Sequence, residues 1–138
     1  MIFTDEDYMT IDKKKEEGLW PIEWLPIKGL IPYIKRLPGE IQGIDIGTCR
    51  GEGVCAILEQ CPNVHKIYCL DPYVAFQDWN GFYDQEHCDK IKKVAEENLK
   101  VYGDRAVLVS MSSEESIYHD GFFENSMDFI FIDGDHSK

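Results

Sequence analysis

The tetrapeptide "DGDH" at residues 133–136 combines the side chains best suited to proton transfer in this sequence. His136 follows Asp133 by three residues. Because the ordinary pKa of a histidine lies near neutrality, His136 is the candidate general base, and Asp133 is its candidate catalytic partner. A second interpretation stays open, in which Asp135 caps a following helix and His136 lies on the exposed first turn of that helix.

A second candidate site is the glycine-rich stretch "GIDIGTCRGEG" at residues 43–53. Dinucleotide-binding turns follow the pattern G-x-G-x-x-G, in which the middle glycine lets the backbone approach a pyrophosphate. Here bulky side chains separate Gly47 from Gly51, and the charge of Glu52 would be unfavourable beside a phosphate. No Gly-Lys-Ser/Thr follows, which excludes a P-loop. The stretch favours a nucleoside that lacks phosphates and carries positive charge, with a plain tight turn as the alternative.

Strand-like and helix-like hydrophobic patterns alternate along the chain, and these elements must position the candidate residues. Four apolar runs predict strands, at 42–46, 65–70, 105–109 and 127–133. Apolar residues at helical spacing predict helices between them, at 54–61, at 85–102 and from residue 112 onward. Repeats of this kind predict an α/β fold, with a Rossmann-like, doubly wound parallel sheet of about four strands.

Ligands of such sheets bind beyond the carboxyl ends of the strands. The residues at those ends are acidic, glycine-bearing or hydroxyl-bearing, namely 45–53, 71–73, 111–113 and 133–136. Purely structural roles are the alternative, because an aspartate before a proline, such as Asp71, commonly starts a turn and Ser112 with Glu115 fits a helix capping box. Four such ends in one fold predict a ligand site at that edge of the sheet.

Composition limits the classes of function. The 138 residues suffice for one domain, and the net charge of −12 argues against binding to nucleic acid or to anionic membranes. No stretch approaches the roughly 20 apolar residues of a membrane span. The five cysteines include no C-x-x-C pair, which favours free thiols and a cytoplasmic setting. Residues 1–39 are predicted to form an N-terminal arm and a covering helix, and residues 40–138 the α/β domain.

Two motifs resemble those of class I S-adenosylmethionine-dependent methyltransferases. The stretch "DIGTCRGEG" resembles their motif I, and "FIDGDHSK" resembles the segment after the fourth strand in the small-molecule O-methyltransferase branch. The stretch "YCLDPY" is similar to the end of their second strand. The resemblance covers about residues 40–138. It implies S-adenosylmethionine as cofactor and in-line methyl transfer to a hydroxyl of a small acceptor such as a sugar, polyol or phenol.

The resemblance assigns the first strand and its turn to the amino-acid end of the cofactor. Asp45 would hold that end, directly or through water. Gly47 and Gly51 would let the backbone pass close to it, and Thr48 belongs to the same motif.

By the same resemblance, the ends of the other strands would bind the remaining parts of the cofactor. Asp71 would accept hydrogen bonds from both ribose hydroxyls, since a carboxylate can accept two. Ser112 or Ser113 would border the adenine, and Asp133 would close the site near the methyl group.

The resemblance to metal-dependent O-methyltransferases adds a further implication for "DGDH". In those enzymes the aspartate is a ligand of a divalent ion, and the residue three positions later is the base. Asp133 would then bind Mg²⁺ or another divalent metal, which would lower the pKa of the acceptor hydroxyl for His136 to deprotonate. A single carboxylate cannot hold Mg²⁺ alone, and the sequence offers no convincing second ligand.

The family's sheet has seven strands, whereas this sequence accounts for about four. We therefore expect the N-terminal half of a class I methyltransferase fold, with an apolar fourth strand whose open edge favours self-association. A non-catalytic nucleoside-binding half-domain is the alternative, and the glycine spacing disfavours a nicotinamide-dependent oxidoreductase. The aromatic loop at 71–87 fits either a lid over the ligand or a plug packed on the rim of the sheet.

Overall fold

The computed structural model describes residues 3–21, 26–116 and 127–133. Its strands are β1 (Ile41–Ile46), β2 (Val64–Leu70), β3 (Phe76–Asp78), β4 (Gly81–Tyr83), β5 (Ala106–Val109) and β6 (Phe129–Ile132). Its α-helices are α1 (Ile11–Glu16), α2 (Ile31–Lys35), α3 (Glu52–Gln60), α4 (Gln85–Lys100) and α5 (Ser113–Ser116). Short 3-10 turns lie at Asp5–Tyr8, Pro26–Gly29 and Gly103–Arg105.

The central sheet has four strands in the order β5-β2-β1-β6, and every neighbouring pair is parallel. β1 is therefore hydrogen-bonded on both sides, by β2 and by β6. The predicted parallel α/β sheet is confirmed, and each predicted strand agrees with the structure to within two residues at either end. This order, with β1 between β2 and β6, is that of one half of a Rossmann-like doubly wound sheet and its first strand beyond the switch point.

The two longer helices bury one face each, as their apolar spacing predicts. α3 buries Val54, Ile57 and Leu58, and α4 buries Ile91 and Leu99. The same core includes isoleucines of α2 and of the 3-10 turn that precedes it. Because the helices cover the sheet with apolar side chains, the strands can be apolar nearly throughout.

The segment at 71–87 contains an antiparallel hairpin that the sequence does not predict, β3 paired with β4. The rings of Phe76 and Tyr83 stack across it with centroids 4.4 Å apart, and Phe3 stacks on His87 at 3.6 Å. The tip residue Trp79 is exposed. Tyr83 also contacts Phe3, with ring centroids 5.7 Å apart. The hairpin therefore contacts the N-terminal residues while its tip lies in solvent, and both the lid and the plug on the rim of the sheet stay predictions.

The cysteines behave as core side chains. All five are free thiols, and the four other than Cys49 are buried. In the ranges that the structure describes, no helix is long and apolar enough to cross a membrane.

Within the described residues, β6 pairs only with β1. Its outward side chains, Ile130 and Ile132, are 50% and 70% exposed. An exposed apolar edge of this kind is a template for pairing with another strand. Self-association through this edge stays a prediction.

Glycine at position 43 allows β6 to pack on β1. A Cβ atom at Gly43 would overlap the ring of Phe129, whereas one at Gly53 in α3 would lie 3.5 Å from Ile27 Cγ2, an ordinary contact. We expect Gly43→Ala to lower the free energy of unfolding by about 1 to 3 kcal/mol, because the ring must leave its place. Urea denaturation measures the change.

Gly53→Ala is the matched control for this substitution. It should be neutral or stabilising by up to about 1 kcal/mol, since alanine favours a helix over glycine. Equal losses for both variants would contradict the role assigned to Phe129.

Candidate functional site

The parallel sheet brings three aspartates to one edge. Asp45 lies near the end of β1, Asp71 directly follows β2 and Asp133 directly follows β6. The backbone fixes their mutual register, because Asp133 N donates to the carbonyl of Ile46 at 2.8 Å and Gly47 N donates to that of Leu70 at 2.8 Å. The predicted convergence of the strand ends is therefore present in the structure.

The glycine-rich turn uses left-handed backbone at both ends. Gly47 has φ +90° and Gly51 has φ +76°, values that side-chain-bearing residues rarely adopt. Gly51 is also the N-cap residue of α3, and a Cβ there would lie only 3.3 Å from Leu99. Between them Cys49 is held at φ +53° without being glycine. The turn is thus a fixed conformation that needs support from its surroundings.

Asp71 provides part of that support. Its two carboxylate oxygens accept hydrogen bonds from Cys49 N at 2.9 Å and from Tyr73 N at 3.0 Å. The hydroxyl of Tyr73 in turn donates to the carbonyl of Cys49 at 2.7 Å. Burial raises the pKa of Asp71, and the two N–H bonds oppose that shift. The bond from Tyr73 N is of the kind that an aspartate makes to the amide two residues later in a turn. A carboxylate with four acceptor positions still has two left for a ligand.

Asp45 is the most perturbed acid of the site. It is 6% exposed, and burial raises its pKa to about 7. A hydrogen bond from the side chain of Thr48 lowers the pKa, whereas the negative charges of Asp133 and Asp71 raise it further. An acid in this state gains from a nearby cation, because the cation offsets both the lost hydration and the repulsion of the other carboxylates.

Glu52 corrects one step of the sequence argument. It is not a free charge facing the turn, because its buried carboxylate accepts hydrogen bonds from Lys14 Nζ at 2.6 Å and Arg50 Nε at 2.7 Å. Two cations therefore offset its charge. The preference for a cationic ligand rests on the three aspartates instead.

The end of β5 shows the predicted helix cap. Ser112 Oγ accepts from Glu115 N at 3.0 Å, and Glu115 Oε1 accepts from Ser112 N at 3.4 Å. Ser112 is half-buried and Ser113 is exposed. Their position beside adenine stays a prediction.

The predicted catalytic pair is described only in part. Asp133 is exposed at the edge of the site, while His136 lies outside the described residues. Among the residues that the structure does describe, no group of three or more His, Cys, Asp or Glu side chains could hold a metal ion. These residues do not fit a metal site, so Asp133 as a metal ligand stays a prediction and no step is assigned to a metal.

Two supporting residues escape the sequence analysis: Lys14 and Asn98. Lys14 stands in a run of three lysines that reads as a solvated face, yet it follows the buried Ile11 at helical spacing. Asn98 likewise falls seven residues after Ile91 on the buried stripe of α4. Helical period, applied to polar residues as well as apolar ones, is the signal that identifies both.

Comparisons with known proteins agree with this geometry. Residues 44–138 match a protein family described as "Methyltransferase domain". The fold is similar to a crystal structure described as that of a "putative O-methyltransferase from Klebsiella pneumoniae", at 21% sequence identity and a TM-score of 0.55. The alignment covers 94% of this chain and 52% of that one, so the chain spans about half the length of its structural relative. No curated protein matches the chain.

The burial of the Asp45 carboxyl leads to a prediction about how the free energy of unfolding depends on pH. The folded-state pKa of Asp45 is about 7, above the unfolded value of 3.8. This carboxyl therefore costs no stability below pH 3.8, where it is protonated in both states, and the free energy of unfolding falls as the pH rises from there through about 7. Asp45→Asn removes this cost. We expect the variant to be more stable than the parent at pH 8, by on the order of 2 to 4 kcal/mol.

Urea denaturation at pH 8 and pH 5 measures the effect. The advantage of Asp45→Asn should shrink by roughly 2 to 3 kcal/mol at the lower pH. Asp104→Asn, at an exposed position, is the control and should change little at either pH. An advantage that is the same at both values would rule out titration of Asp45 as its cause.

Proposed function

The chain belongs to the methyltransferase-domain family, and from that premise we propose that it binds S-adenosylmethionine and methylates a hydroxyl of a small acceptor. A sugar, a polyol or a phenol is the acceptor class. The observation that carries the proposal is the buried Asp45 carboxylate, which two further aspartates destabilise beside a glycine-rich turn. A cofactor with an ammonium and a sulfonium supplies the charge that this site lacks.

Each end of the cofactor has a partner of suitable chemistry. Asp45 accepts from the ammonium of the amino-acid end, beside Thr48 and the close-lying backbone of Gly47 and Gly51. Asp71 accepts from the ribose hydroxyls with the lone pairs that its backbone bonds leave free.

The adenine and methyl ends have partners on the remaining strands. Ser112 and Ser113 border the adenine after β5, and Asp133 borders the methyl group after β6. When bound, S-adenosylmethionine supplies a methyl group on a positively charged sulfur for in-line transfer to an oxygen.

Proton removal from the acceptor falls to His136. A neutral imidazole takes the hydroxyl proton, and Asp133 three residues earlier provides a negative charge that stabilises the imidazolium formed. No step is assigned to a metal here, and Mg²⁺ is a further cofactor that the sequence resemblance suggests.

Calorimetric titration with S-adenosylhomocysteine tests the binding proposal. We expect binding that tightens as the pH rises from 6 to 8, by up to about tenfold, because the ammonium favours the ionised form of Asp45 and its pKa is about 7. Asp45→Asn should bind more weakly and lose this pH dependence. It is a cleaner test than a substitution of Asp71, which also ties the two turns together.

Adenosine is the matched ligand control. It lacks the amino-acid end, so its affinity should be the same at both pH values and in Asp45→Asn. Absence of S-adenosylhomocysteine binding by the folded chain would refute the proposal, and preferential binding of NAD would favour an oxidoreductase.

Transfer of labelled methyl from S-adenosylmethionine to catechol or to glucose tests the reaction itself. His136→Gln should lower the rate by about a hundredfold or more, since a general base contributes that much, while the affinity for S-adenosylhomocysteine stays the same. Cofactor binding without any transfer by the parent chain would support the alternative of a non-catalytic nucleoside-binding half-domain.

A further inference from the structure

An ion network ties the N-terminal segment, defined here as residues 3–17, to the glycine-rich turn. Lys14 of α1 is 2% exposed, and its Nζ lies 2.6 Å from Glu52 Oε2. The other oxygen of Glu52 accepts from Arg50 Nε at 2.7 Å. An Nη atom of Arg50 also donates to the carbonyl of Asp7 at 3.4 Å. Charge-assisted bonds in a buried setting are strong and directional, so the segment and the turn are held in one arrangement.

Asn98 of α4 adds a second link between the same two parts. Its Oδ1 accepts from Ile11 N at 2.8 Å, and its Nδ2 donates to the carbonyl of Arg50 at 2.8 Å. The carbonyl of Arg50 belongs to the peptide that precedes the left-handed Gly51. One buried amide therefore fixes the start of α1 and the orientation of that peptide together.

We propose that Lys14 and Asn98 are positioning residues for the cofactor, acting through the glycine-rich turn. The inference rests on the proposed function, since it assigns a cofactor to that turn. The turn combines left-handed residues at 47, 49 and 51, a conformation that an unsupported chain populates poorly. Ordering it before the ligand arrives removes an entropic cost from binding. Affinity for the cofactor then depends on a segment outside the α/β domain.

Adjacent lysines of α1 provide a matched pair of variants. Lys14→Met removes the buried ion pair but leaves Glu52 paired with Arg50, so no buried carboxylate loses all its partners. Lys13→Met makes the same substitution one residue earlier, where the side chain is 54% exposed and, among the described residues, pairs with the exposed Glu16 and Glu17. We expect S-adenosylhomocysteine to bind Lys14→Met about tenfold more weakly and Lys13→Met within about twofold of the parent chain.

Cys49 reports the order of the turn without any ligand. It directly precedes Arg50, and although the residue as a whole is exposed, burial raises the pKa of its thiol, so loosening of the turn should make the reactive thiolate more available. The other four cysteines are buried. Alkylation by N-ethylmaleimide, located by mass spectrometry, should become about tenfold faster at Cys49 in Lys14→Met and stay unchanged at the buried cysteines. The double variant Lys14→Met/Glu52→Gln should behave in the same way, and it serves where the single variant folds poorly.

The outcomes distinguish failure of the positioning role from failure of the proposed function. Equal affinity of Lys14→Met and the parent chain would overturn the positioning role while leaving the proposed function intact. Faster alkylation of all five cysteines would also overturn it, because a general loss of stability would then account for weaker binding. A folded parent chain that does not bind S-adenosylhomocysteine would refute the proposed function, and the role of Lys14 toward the cofactor with it.

Discussion

The parallel pairing of β1 on both sides is the constraint on which the site depends. Because β2 and β6 hydrogen-bond to its two edges, the end of β1 lies inside the sheet, and Asp45 is buried there rather than solvated. The same parallel register carries Asp71 and Asp133 to the neighbouring strand ends. The burial of Asp45 is therefore a product of the sheet's topology, and the rise of its pKa to about 7 follows from that burial.

The sequence predicts the sheet well because its signals are local. Apolar runs define strands, helical spacing defines α3 and α4, and the order of the elements requires parallel strands with crossovers. The hairpin of β3 and β4 is missed for the opposite reason. Its strands have three residues each, too few to show a period, and its Tyr83 contacts Phe3 at the other end of the chain, with ring centroids 5.7 Å apart. No window of the sequence contains that interaction.

The candidate site likewise has a part that the sequence predicts and a part that it does not. The residues at the strand ends could be found from their types and positions, since they follow directly from the sheet. The partners that hold them could not, because Lys14 and Asn98 meet the turn across 38 and 48 residues of chain. Glu52 shows the consequence of missing them. The sequence suggests that its charge faces the turn. In the structure the carboxylate is buried and paired with the two cations, Lys14 and Arg50.

The hydrogen bonds of Asp71 also limit how this chain can vary in length. They join the turn after β1 to the turn after β2 through Cys49 and Tyr73, two residues held at positive φ. One residue inserted into either turn would shift an amide out of reach of the carboxylate and release both backbones. Among the described residues, the backbone bonds at the tip of the hairpin are local, since Asn80 N and Gly81 N both donate to Asp78 Oδ1. Insertions and deletions among relatives of this domain should therefore accumulate at the hairpin tip, while the two turns keep their lengths together.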